Sequence, residues 1–163
     1  MKFLRWWQAH FLYLEFAASI SLTTIFFIWV RYLGGEGIVN RILQDNRSEI
    51  YNALSAVFGS LLGFIIAAVA IVLGYSNDVR LAILQKSKHY PLLWEVLKST
   101  IRALGFATIA SLLGLILDRD DNPILGLLLV NVFSAILASL RLARSVWVLE
   151  NVIAIATRSN RPN

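Results

Sequence analysis

Apolar residues in this chain gather into four long stretches from which charge is almost absent, instead of alternating in the short runs that strands leave. A charged side chain at mid-bilayer is costly, so charge-free windows of about 20 residues mark membrane-spanning helices. The windows predict spans over residues 11–33, 50–75, 99–117 and 123–144. The first includes Phe11 to Leu14 once Glu15 is placed near the headgroups. The second, between Glu49 and Asp78, is long enough to cross with tilt. The third borrows Ser99 to Arg102, with Arg102 snorkelling to the interface. The fourth opens on Asn122-Pro123, an N-cap followed by proline at the first helical position.

Between the spans the pattern changes. Gly34 to Glu49 carries Ile38, Val39, Ile42 and Leu43 at helical spacing, which predicts one short surface helix. Residues 78–89 predict an amphipathic helix at the membrane surface, with Arg80, Lys86 and Lys88 as contacts for anionic headgroups or a partner. Packing against the end of the bundle is the other reading. Tyr90-Pro91 ends this stretch and starts the helix that becomes the third span. Beyond Leu140 the apolar periodicity continues, so the fourth helix is expected to extend over 145–158, with Arg144 and Arg158 as further contacts for the membrane surface or a partner. The fold class expected is an all-α membrane protein. It is a single four-transmembrane-helix bundle with a surface helix between spans 2 and 3 and an extension of helix 4.

Composition agrees, with 58% hydrophobic and 15% charged residues in 163 and a mean hydropathy of +0.67; soluble domains run nearer half apolar and a quarter charged. Charge sets the orientation. Four spans put both termini and the middle loop on one side, which holds eleven of the fifteen Lys and Arg. Against four acidic residues this gives +7 there, and four basic against six acidic residues give −2 on the other side. The positive-inside rule then places both termini in the cytoplasm, in a cytoplasmic (inner) membrane. Trp6, Trp7, Tyr13, Tyr75, Trp94 and Trp147 fall at one interface and Trp29, Tyr32 and Tyr51 at the other, as aromatic belts do. With no small-residue cleavage site after Val30, the basic, apolar N-terminus is read as an uncleaved signal anchor. The absence of cysteine removes disulfides and thiolate chemistry.

Three constellations remain. Ser55, Gly59, Gly63 and Ala67 recur at four-residue intervals and run on to Ala70 and Gly74; Ala110 and Gly114 repeat the theme on the third span. Small-residue ridges let helix backbones approach closely, within one chain or between subunits. Thr24, Ser60, Thr108 and Asn131 form a polar band within the bilayer, suited to a pore or to hydrogen bonds between helices. Glu15 lies level with Arg102 and Arg141, as a structural ion pair or as a proton- or cation-linked carboxylate. A glutamate in the first of four spans resembles the small multidrug-resistance transporters. This chain is much longer and its glutamate lies nearer the interface, so no residue role carries over.

Asp118-Arg119-Asp120-Asp121-Asn122 begins like a calcium loop but has Leu129 where the bidentate glutamate belongs. A solvated hairpin turn is expected instead. Asn46-Arg47-Ser48 is a glycosylation sequon with nothing else to mark a secretory protein. His10 and His89 lack metal-ligand spacing, and no nucleophile elbow or phosphate loop occurs. No enzyme, metal or cofactor is expected, and no specific nucleic acid. The expected partners are the bilayer, further copies of the chain, and a cytoplasmic or membrane protein. The expected function is a small oligomeric channel or membrane-permeabilising effector. The alternatives are a non-catalytic accessory or sensor subunit, or a small proton-coupled exporter using Glu15.

Overall fold

The computed structural model describes residues 2–43, 46–74, 90–118 and 124–158, with side chains over 11–43, 46–71, 93–118 and 124–150. Among them are five helices and no strand. They are α1 (Lys2–Tyr32), α2 (Gly35–Leu43), α3 (Arg47–Gly74), α4 (Tyr90–Leu117) and α5 (Leu125–Arg158). Four of these, α1, α3, α4 and α5, are long and apolar enough to cross a membrane, so the architecture is that of a multi-pass membrane protein. The expected surface helix at 78–89, with Arg80, Lys86 and Lys88, lies outside the described residues.

Local chemistry accounts for the helix limits. Polar residues in α1 are tolerated because their hydroxyls donate back to carbonyls one turn earlier: Ser19 to Glu15, Ser21 to Ala17, Thr23 to Ser19, Thr24 to Ile20. α1 stops where Gly34 takes φ +79°, a left-handed conformation that glycine adopts without strain. The short helix expected after it is α2. Pro91 sits in the first turn of α4, where its missing N–H costs nothing. α5 starts at Leu125, two residues beyond Pro123, and runs unbroken for 34 residues, about 51 Å at 1.5 Å each. That is longer than a bilayer core of about 30 Å requires.

The main helix contacts run in the order α3, α4, α5, α1, with α2 folded against α1. α4 is the most enclosed helix and α3 the least. The bundle is therefore built around α4, with α1 and α3 sharing no comparably extensive face. One core cluster joins Phe58 of α3 to Ala103, Leu104 and Ala107 of α4 and to Leu137 and Ala138 of α5. A second, nearer the start of α4, joins Phe11, Leu93, Val96, Leu97 and Val148. Large apolar side chains such as Ile25, Phe64 and Ile109 face outward. In water such a belt would drive aggregation, whereas lipid solvates it.

Candidate functional site

Three polar clusters lie at different levels of the helix bundle. At the level where α3 starts and α4 ends, Asp118 is buried and both of its carboxylate oxygens accept hydrogen bonds. It accepts from Arg47 Nη1 at 3.2 Å, from the Tyr51 hydroxyl at 2.9 Å and from the backbone N–H of Ile124 at 3.1 Å. One side chain thus ties α3 to the end of α4 and caps the entry to α5. Gly114 makes this possible, since a Cβ there would stand 2.8 Å from the Tyr51 ring. The expected solvated turn is thus corrected at Asp118, which is 5% exposed. Burial is tolerated because both carboxylate oxygens find donors.

Further in, Asn131 joins α4 to α5. Its amide donates to the carbonyls of Ala110 at 3.1 Å and Leu127 at 3.0 Å, while its Oδ1 accepts from Ser111 at 2.9 Å. At 2% exposure both N–H donors of this amide are taken and its oxygen is shielded from ions and water. The other members of the polar band lie elsewhere. Thr108 donates to Leu104 O on the α3–α4 seam, where its methyl group would stand 3.8 Å from a Cβ placed on Gly59. Thr24 and Ser60 are exposed on α1 and α3. The four residues do not converge.

At the opposite level, Glu15 is buried and pairs through Oε1 with the Nε–H of Arg144. The Arg144 guanidinium also lies 4.2 Å over the Phe11 ring, a cation–π contact that further offsets its burial. The hydrogen-bonded partner is thus one turn beyond Arg141, and Arg144 is an internal residue, not a surface contact. Arg141 instead donates from Nη1 to Ser99 O at 3.1 Å, and Thr100 donates to Arg141 O, also at 3.1 Å. Arg102 is exposed and makes no ion pair among the described residues. Glu15 Oε2 and Arg141 Nε remain buried without hydrogen-bond partners. Arg158 closes α5, outside the described side chains.

The small-residue positions separate. Ala110 and Gly114 lie in the interior of α4, and Ser55 is buried with its hydroxyl on Asn52 O. Gly63 and Ala67 face outward, and a Cβ on Gly63 would meet nothing within 4 Å; Gly74 is the last residue of α3. The cause is geometric, because four-residue steps advance about 40° beyond a full turn and drift around the helix. Steps of three and four in alternation hold a face. On that spacing Tyr51, Ser55, Phe58, Leu62, Ile65 and Val69 point inward, buried or partly so. Opposite them, Ala53, Ala56, Ser60, Gly63, Ala67 and Ala70 are all exposed, beside a row of Val57, Phe64 and Ile71. No family model matches the chain, and no curated protein or solved structure is significantly similar to it.

Proposed function

We propose that the chain is a subunit of a self-associating assembly in a cytoplasmic membrane that acts through its helices, as an ion channel or membrane-permeabilising effector. The observation that carries this reading is the outward stripe of small residues on α3. Lipid gains nothing from six small side chains in register, whereas a second helix seated there gains close backbone contact. Their 3.5-residue spacing suits a left-handed crossing. Asn131 is spent inside the chain, so an aqueous route would run between subunits, where the Ser60 hydroxyl is available.

Gly63→Leu tests this cleanly because Gly63 is exposed and a Cβ there meets nothing within 4 Å. Mass measurement in nanodiscs is expected to give a discrete oligomer for the wild type and a monomer for the variant, with unchanged helix content. Conductance across planar bilayers should disappear with the oligomer. A monomeric wild type, or an oligomer indifferent to the substitution, would sink the reading. The exporter reading draws on the unpartnered Glu15 Oε2; proton-coupled transport that persists in Glu15→Gln would end it.

A further inference from the structure

A cavity of about 280 Å³ opens where the end of α1, the helix α2 and the start of α5 meet. Its apolar wall is Val30, Val39, Leu43, Leu125 and Leu128, and its polar residues are Arg31, Glu36 and Asn40. The volume holds roughly nine water molecules at about 30 Å³ each, at the lower limit of small-ligand sites. Among the described residues none of the three polar side chains is engaged in an ion pair or side-chain hydrogen bond. Ion pairs among the described residues are Arg47–Asp118 and Arg144–Glu15, and Asn40 makes no side-chain hydrogen bond among those residues. One unspent cation, one unspent anion and an amide therefore border an apolar recess with no net formal charge. Trp29 and Tyr32, which flank Val30 and Arg31 in sequence, are residue types that favour the headgroup level.

From this complementarity we infer that the cavity binds an ammonium–phosphate zwitterion, as in the headgroup of an amino-phospholipid. Arg31 takes the phosphate, the Glu36 carboxylate takes the ammonium N–H groups, and the apolar wall takes the adjoining glycerol and first methylenes. A quaternary ammonium has no N–H to give Glu36, so phosphatidylethanolamine is selected over phosphatidylcholine. The site stands apart from the α3 stripe, so its test is independent of the assembly proposed above.

The experiment is native mass spectrometry of the full chain released from nanodiscs holding equal phosphatidylethanolamine and phosphatidylcholine. Wild-type protein is expected to retain the former about threefold to tenfold over the latter, as one charge-assisted hydrogen bond at a partly exposed site would give. Glu36→Gln should bring the ratio near one, and Arg31→Gln should lower retention of both lipids. Both residues are exposed, so the fold is expected to survive, with circular dichroism as the check. Leu128→Trp, which fills the recess, should exclude lipid without touching either charge. Free phosphoethanolamine separates the sources: displacement with the ratio still dependent on Glu36 assigns a soluble zwitterion, and no displacement assigns the lipid. Equal retention in the wild type, or a preference unchanged in Glu36→Gln, overturns the site.

Discussion

Gly114 and Tyr51 show how little room separates neighbouring helices. Alanine at 114 puts a methyl group 2.8 Å from the ring, and the ring cannot retreat without releasing Asp118. Gly114→Ala is therefore expected to destabilise by about 1–3 kcal/mol, measured as a lower midpoint in denaturant titration of the reconstituted protein. Glu15→Gln removes the charge that Arg144 faces in a buried pair, a change of about 3–5 kcal/mol in proteins generally. Double substitution to Glu15→Gln with Arg144→Met should recover most of that loss. Failure of the double variant to recover would mean that the native ion pair itself contributes net stability, beyond sparing Arg144 an unpaired charge. Asn131→Leu forfeits hydrogen bonds worth about 0.6–2 kcal/mol in membranes, and leaves Ser111 and the Ala110 carbonyl to find other partners.

At the scale of elements, the spans follow from charge-free windows, and Pro91 and the Ile38–Leu43 spacing mark helices because each acts within one turn of itself. Rotation about a helix axis is less legible. Arg141 and Arg144 are about 60° apart viewed down α5, and only the packing of α1 on α5 decides which one faces Glu15. Asp118 stood among other charges in a turn, and its partners Arg47 and Tyr51 are 71 and 67 residues away, beyond any periodicity. The stripe on α3 could have been found by testing three-four alternation beside strict fours. Its exposure could not, because that depends on which face α4 takes. In a heptad-spaced interface, substitution on the stripe matters and substitution beside it matters less. Ala67→Leu should therefore dissociate the oligomer as Gly63→Leu does. Ile66→Phe, exposed but about 90° around the helix from the centre of the stripe, should leave its mass unchanged.

For the whole molecule, the absence of native cysteine makes sidedness directly measurable. Cysteines placed at Gly37 and Glu150, both exposed, should react with impermeant maleimide from opposite faces of sealed vesicles. With both termini in the cytoplasm, Glu150→Cys labels from within; labelling of both positions from one side would refute four crossings. The Asp118 clasp also orders assembly in time. Arg47 and Tyr51 leave the ribosome long before the carboxylate they share, and Ile124 follows it by six residues. A nascent chain that stops at the end of α3 thus holds half of a lock. Closure waits for the third crossing to be completed and the fourth to begin, so this one carboxylate records that the chain has been threaded to its last helix.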